Sequence, residues 1–363
     1  AQNANRFPRK QIGKKSGYCG PATNHAMQKI IISRTDNLGD VVLSLPVAGK
    51  LRQLFPAAQL IFLGKKYTEP VIRSCVHVDE YWDVAQLDQY DTNGADAIVF
   101  LFPDRPVARW AARRKIPVRV GTGHRWWHWV YCNKRVNFSR KKSDLHESQL
   151  NFKLLQSLGW QQPVSLAEVA ELYGLQTPAV DFPDDLRPHL SAQGYKLVLH
   201  PKSKGSAREW PLESYLALVK SLPEGMQAYV TGTEAEGKAV ANECPDLLRQ
   251  PNVTNLMGKL ALTELIAFIG AADALVACST GPLHIAAALG KHAVGIYPNI
   301  RPMHPGRWQP VGPRAETVVF AQPDCRACAG SPTQCACIRR ISLADIRERV
   351  LTNFVRPTVL RIQ

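Results

Sequence analysis

The chain has 363 residues, 45% of them hydrophobic, a formal net charge of +15 and nine cysteines. That length allows two domains with full cores, and no run of 18 apolar residues is present to cross a bilayer as a helix. The cysteines are too sparse for a disulfide scaffold and fit a reducing cytoplasm.

Residues 1–26 are basic, polar and aperiodic, with no apolar signal-peptide core, and read as a tag or disordered extension ahead of Met27. They hold five positive charges and no acid, so the remainder of the chain is still +10. Such a balance implies an anionic partner: nucleic acid, a phosphorylated substrate or an acidic membrane surface. From there strands and helices alternate. Strands are expected over Gln28–Arg34, Gln59–Leu63 and Asp96–Leu101, with Pro117–Val120 extended. Helices are expected over Gly39–Phe55, Arg105–Lys115 and His146–Leu158. This makes a first domain of 27–160. A linker at 161–192 follows, marked by Pro163, Pro178, Pro183 and Pro188.

The pattern then restarts in a second domain, 193–340. Its expected strands are Lys196–His200, Met226–Thr231, Ala274–Cys278 and Ala293–Tyr297. Its expected helices are Leu212–Ser221, Glu234–Asn242 and Thr263–Ala271, and a last helix, Leu343–Phe354, lies in 341–363. Two α/β halves of this kind predict parallel sheets covered on both faces. They also predict a ligand cleft between the halves, at the carboxyl ends of the strands.

Three strand-to-helix turns carry the chemistry. The run Ala277–Gly290 leaves a buried strand and opens an Ala-rich helix with Pro282 just inside its start. Its free N–H groups and positive dipole end, with Ser279, Thr280, Gly281 and His284, make a seat for phosphate; the plainer alternative is an ordinary capped helix. The first turn, Arg34 to Asp40, has only Gly39 where a dinucleotide site wants three glycines. What it offers is Asp40, a carboxylate able to take a proton from an acceptor hydroxyl, unless Asp40 or Asp36 merely caps the helix. The run His200–Pro211 holds Lys202, Ser203, Lys204, Ser206 and Arg208, a diphosphate clamp or a solvated basic loop.

Other patterns are less telling. Gly232 to Ala239 nearly fits a Walker A loop, but Ala239 replaces the metal-binding hydroxyl, so the match reads as chance. No D-x-D pair occurs, so phosphate charge must be neutralised by side chains and helix ends. Residues 105–142 hold twelve Lys and Arg, no acid, and Trp110, Trp126, Trp127 and Trp129. Basic plus aromatic fits nucleic acid, an anionic membrane interface, or a solvated face over core tryptophans. Cys325, Cys328, Cys335 and Cys337 could hold one tetrahedral zinc or iron, or stay as thiols. Cys19, Cys75, Cys132, Cys244 and Cys278 read as packing residues.

Together Arg34–Pro46, His200–Pro211 and Ser279–Gly290 resemble the ADP-heptose:lipopolysaccharide heptosyltransferases, glycosyltransferase family 9, and the resemblance runs over nearly the whole chain. It implies the GT-B fold, two Rossmann-like domains facing across a cleft, with the last helix returning to the first domain. It implies an inverting transfer from a nucleotide sugar that requires no cofactor. The family's catalytic aspartate falls on Asp40. Its phosphate contacts fall on Lys202, Ser203 and Arg208, its ribose contact near Glu234, and its helix-start donors on Thr280, Gly281 and His284. Ser279 stands where many relatives carry Asp, and Arg208 where Lys is common, which leaves ADP-heptose as first donor choice and another nucleotide sugar as second. The family's phosphorylated lipid acceptors give the 105–142 stretch a use in holding acceptor or anionic inner membrane. Arg113, Arg114, Arg125 and Trp126 are its candidate contacts. Nucleic acid is then not expected. The alternatives are a transferase for another sugar or a protein acceptor and, from a different class, a non-catalytic nucleic-acid-binding protein.

Overall fold

In the computed structural model, which describes residues 27–140, 143–191, 193–301, 303–320 and 335–360, two six-stranded parallel sheets form the frame. The first contains β1 (Lys29–Ser33), β2 (Gln59–Gly64), β3 (Glu80–Asp83), β4 (Ala97–Phe100), β5 (Val118–Thr122) and β6 (Lys134–Val136), in the order β3-β2-β1-β4-β5-β6. The second contains β7 (Tyr195–His200), β8 (Met226–Val230), β9 (Val253–Asn255), β10 (Ala274–Cys278), β11 (His292–Tyr297) and β12 (Ala315–Val319), in the order β12-β11-β10-β7-β8-β9. Read from its other edge, the second order is that of the first. Central strands have no solvent face: Ile30, Ile31 and Ile32 of β1 and every residue of β10 are buried, as expected where helices cover both faces.

In each sheet the strand order reverses between the first and fourth strands, β1/β4 and β7/β10. That reversal opens a crevice at the carboxyl edge. The three turns singled out from sequence leave β1, β7 and β10 at those crevices.

Four strands escape the sequence reading, and they are the four sheet edges. β3 (Glu-Tyr-Trp-Asp), β6 (Lys-Arg-Val), β9 (Val-Thr-Asn) and β12 (Ala-Glu-Thr-Val-Val) have one open side, so they are short and lack the continuous apolar run of a central strand. The expected helix over 39–55 is two helices, Leu38–Val42 and Leu45–Leu54, with Pro46 inside the first turn of the second, where its missing N–H costs nothing.

The 161–192 segment holds two short helices, Leu166–Glu171 and Arg187–Ser191, and buries Leu172, Tyr173, Phe182 and Leu186. One apolar cluster runs through both domains, joining Val41, Val42 and Leu45 to Leu283, Ile285 and Ala287. The last helix is Leu343–Leu360. Ile346 and Val350 are buried in the second domain, Phe354 meets Tyr195 edge-on, and Arg347 donates to the Ser221 carbonyl at 3.0 Å. Through Phe354 the helix packs on the second domain, its apolar stripe matching that core. Among the described residues no helix is long and apolar enough to cross a membrane.

Candidate active site between the domains

Asp40 sits in the short helix after β1, and neither it nor Asp36 caps that helix: the Asn37 cap position makes no side-chain bond. Both carboxylates turn instead to Arg34, which is 3% exposed. Its Nε donates to Asp36 at 2.7 Å and one terminal nitrogen to Asp40 at 2.5 Å. Its other terminal nitrogen donates to Glu147 at 3.2 Å, Asn151 at 3.2 Å and the Leu101 carbonyl at 3.1 Å. A fully extended fork of this kind fixes the guanidinium in one plane and so fixes Asp40. Burial pushes the Asp40 carboxyl up to about 6, against the pull of Arg34 and with the help of the neighbouring charges of Asp36 and Glu147. A carboxylate tuned there can accept a proton near neutral pH.

Glu147, 1% exposed, is the hub of this network. Burial works against its charge. Arg34, Arg140 and Arg307 together outweigh that effect and hold it below the ordinary glutamate range. Arg140 donates to it at 2.9 Å, and Arg307, from the second domain, at 3.0 Å. Next to it, His146 Nδ1 accepts the Ser148 N–H at 3.2 Å, which assigns the proton to Nε2; this nitrogen donates to the Gln309 carbonyl of the second domain at 3.0 Å. Arg34, His146, Glu147 and Arg307 were not singled out from sequence. Arg34 lay inside a quoted motif, but two of the three arginines on Glu147 are 113 and 160 residues away, and no local pattern announces such a meeting.

The second domain faces Asp40 through the helix Gly281–Ala288. Gly281 allows a close approach: a Cβ there would lie 2.7 Å from the Leu38 side chain of the first domain. Across the same contact, a Cβ on Gly39 would lie 3.1 Å from the His284 ring. The two glycines thus let the two helix starts touch. His284 is buried and its imidazole is driven down to about 3 by desolvation, so it stays neutral. Its Nδ1 and the Thr280 Oγ1 are buried without a hydrogen-bond partner, both at this helix start. Ser279 lies beside them, within reach of the Tyr297 hydroxyl.

The loop after β7 is organised by Glu209. Its Oε1 accepts the Ser203 N–H at 2.8 Å and the Ser203 hydroxyl at 2.9 Å, and its Oε2 lies 3.5 Å from Lys202. Lys202 also reaches Glu243 at 2.9 Å, and Lys202, Ser203 and Arg208 are all buried, while Lys204, Gly205 and Ser206 at the tip of the loop are exposed. Glu234 is different, three-quarters exposed and paired with Lys238 one turn on. The near-Walker run is a capping box, with Thr233 and Glu236 bonding reciprocally.

The basic stretch divides. The helix Arg105–Arg113 starts at the carboxyl rim after β4 and runs back about 13 Å, so Arg113 and Arg114 sit at the opposite edge from Asp40. Arg114 there donates to the Asp88 carbonyl at 2.9 Å. Arg125 and Trp126 stay on the rim after β5, with Arg105 stacked over Trp126 at 4.7 Å and Arg125 over Trp127 at 5.5 Å. The rim therefore gathers Arg125 and Trp126 but not Arg113 and Arg114. Cys75, Cys132, Cys244 and Cys278 are buried packing residues, as expected. Cys325 and Cys328 lie outside the described residues. Cys335 and Cys337 are buried in the second core, and among the described residues no three His, Cys, Asp or Glu are placed to hold a metal.

Comparison with known proteins agrees with this geometry. A Haemophilus influenzae protein described as a candidate glycosyltransferase is 26% identical over 314 residues, 82% of this chain and 90% of its own. The fold is that of Escherichia coli ADP-heptose LPS heptosyltransferase II, at a TM-score of 0.68 and 16% identity, covering 92% of this chain and all of that one. It is also that of TibC, an iron-containing dodecameric glycosyltransferase of enterotoxigenic E. coli, at a TM-score of 0.51 and 16% identity, covering 90% of this chain and 76% of that one. The paired sheets are thus a GT-B fold. The sequence profile of glycosyltransferase family 9 (heptosyltransferase) matches residues 99–338, spanning the rim after β4, the Glu147 hub and the turns after β7 and β10, and the chain belongs to that family of transferase enzymes.

Proposed function

We propose that this glycosyltransferase moves a heptose, or a closely similar sugar, from ADP-heptose to a lipopolysaccharide-core or related glycan acceptor, with inversion. The observation that carries the reading is the meeting of Asp40, held by Arg34, with the Gly281–Ala288 helix start across the Leu38–Gly281 contact. In the reaction Asp40 takes the proton of the acceptor hydroxyl while that oxygen bonds to the anomeric carbon. The bond from that carbon to the diphosphate oxygen breaks, and its electron pair leaves on the diphosphate. Lys202, Ser203, Arg208 and the donors at Thr280, Gly281 and His284 stabilise the leaving charge. Lys202 is able to exchange its half-exposed partner Glu243 for the diphosphate without losing Glu209. Glu234, exposed at its helix start, takes the ribose. E. coli heptosyltransferase II, which shares the fold, is an ADP-heptose enzyme, and that supports the donor.

Thermal shift against ADP, UDP and GDP and their sugars tests the donor. Stabilisation by ADP and ADP-heptose alone is the expected result. Selective stabilisation by UDP or GDP forms moves the donor and keeps the mechanism.

The acceptor is a phosphorylated lipid or glycan presented at the cytoplasmic face of the inner membrane. On the helix Trp126–Tyr131, Trp126, Trp129 and Val130 share one face and are each about 60% exposed. Arg105 and Arg135 stack over the two tryptophans, and exposed Arg109 and Lys134 sit on the flanking elements. An apolar face ringed by unopposed cations fits an anionic lipid surface. Pelleting with phosphatidylglycerol vesicles that drops several-fold in Trp129→Ser/Val130→Ser supports this placement. Equal pelleting of the variant, or retention by DNA instead, removes it. The Cys325–Cys337 run is proposed as a structural zinc or iron site; metal analysis of the purified protein finding less than about 0.1 equivalent of either removes that.

A further inference from the structure

Three ties bind Asp144–Glu147 of the first domain to Arg301–Gln309 of the second: Asp144 with Arg301, His146 with the Gln309 carbonyl, and Glu147 with Arg307. The third differs from the others because Glu147 does not end there. Its Oε2 takes Arg307 at 3.0 Å and its Oε1 takes Arg34 at 3.2 Å, and Arg34 holds Asp40 at 2.5 Å. A continuous chain of charge-assisted bonds thus runs from the second domain to the carboxylate assigned as base. Arg307 also donates to the Arg140 carbonyl at 3.1 Å, which seats it firmly in the first domain.

We propose that Glu147 is a positioning residue through which domain closure sets the state of Asp40, with Arg307 as the closing ion. This rests on the transferase reading above. The charge count shows how it works. Arg34, Arg140 and Arg307 balance Asp36, Asp40 and Glu147 only while Arg307 is in place. Withdrawing the second domain removes one cation from a buried cluster and leaves it net negative. Asp40 then shares the site with an under-neutralised Glu147 and holds its proton more tightly. Docking the second domain, which carries the nucleotide sugar, restores Arg307 and releases the base for use. Other groups facing Asp40 do not perform this switch. Arg34 and Asp36 belong to its own turn, the Tyr67 hydroxyl is engaged with the Asp36 carbonyl at 2.9 Å, and His284, packed against Gly39, stays neutral.

The test is the pH dependence of kcat/KM in the full-length enzyme, read beside the radius of gyration from X-ray scattering. Arg307→Gln is expected to move the acid limb up by about half a unit and to expand the particle. Arg307→Lys, which keeps the charge, is expected to leave the limb near the wild-type position. Glu147→Gln, which removes the negative neighbour itself, is expected to move the limb down. Opposite shifts from two members of one ion pair are not produced by a merely structural contact, which lowers the rate and leaves both limbs in place; that result overturns the proposal. Arg307 lies at the interface, outside both sheets, so the Gln and Lys pair decides the matter even if Glu147→Gln does not fold. Asp40→Asn run in parallel separates the two readings. Retained turnover removes Asp40 as base, whereas lost turnover with unmoved limbs removes only the coupling.

Discussion

The two domains share one strand order, yet their carboxyl rims are built on opposite principles. The first rim is saturated with charge: Arg34 and Glu147 are almost fully buried, and Asp36, Asp40 and Arg140, partly exposed, bond to them. The second rim is mostly dipoles and neutral donors. A helix start, a neutral His284 and an unpartnered Thr280 hydroxyl stand beside a Lys202 already balanced by two glutamates. A base must have its proton affinity set, and only charges at close range in a dry site do that. A group that receives a diphosphate must instead keep donors unspent. One fold serves both tasks because the strand order fixes only where the rims are, not what lines them.

The sharpest break in this comparison is Asp40→Asn. It keeps the shape of the charged rim and removes its proton acceptor, so turnover is expected to fall about a thousandfold while ADP still raises the melting temperature. Wild-type turnover would remove Asp40 from the mechanism. In the unmodified enzyme the same group predicts a pH limb. Asp40 must be ionised to act, so kcat/KM is expected to fall as pH drops through about 6. A limb near 4, where an unperturbed carboxylate titrates, would mean that burial does not tune it.

A second break acts on the contact that brings the rims together. Gly281→Val places side-chain atoms where Leu38 already sits, and overpacking of this kind costs about 1–3 kcal/mol. Its expected effect is a lower melting temperature and a tenfold or smaller loss in kcat/KM, with Leu38→Ala restoring part of both. No rescue would mean that the two helix starts do not need to meet. The smallest effect belongs to Glu209→Gln. It leaves Lys202 with Glu243 as its one charged partner among those described and gives the Ser203 donors a weaker acceptor, so ADP affinity is expected to change by less than about tenfold, read by titration calorimetry. A loss a hundredfold or larger would make Glu209 a donor-site residue rather than a scaffold for one.

Much of this molecule was legible in its sequence. The central strands announce themselves because burial on both faces demands continuous apolar runs, as in Ile30–Ile32 and Ala274–Cys278. The turns after β1 and β10 were legible for a related reason: a strand that stops where a helix starts has few ways to do so, and Gly39, Gly281 and Pro282 mark them, while the loop after β7 was marked by its Lys, Ser and Arg residues. Asp40 and the residues read from sequence as donor contacts, Glu234 apart, lie on those turns and that loop. The edge strands were not, since a strand with one open side carries no strong pattern.

What tertiary structure alone decided is partnership. Nothing near Glu147 in the sequence says that three arginines, from positions 34, 140 and 307, will converge on it, and nothing near Asp40 says which of its neighbours will hold it. Arg113 and Arg125 look equivalent in a basic stretch, but a crossover helix carries one to the far edge while the next strand returns the other to the rim. Up to Phe354 the last helix likewise packs by matching a buried stripe to the second core. Local sequence sets backbone geometry over a few residues, and so it determines elements and turns. Charge pairing and domain contact act through space at short range, and only the folded chain brings those groups within reach of one another.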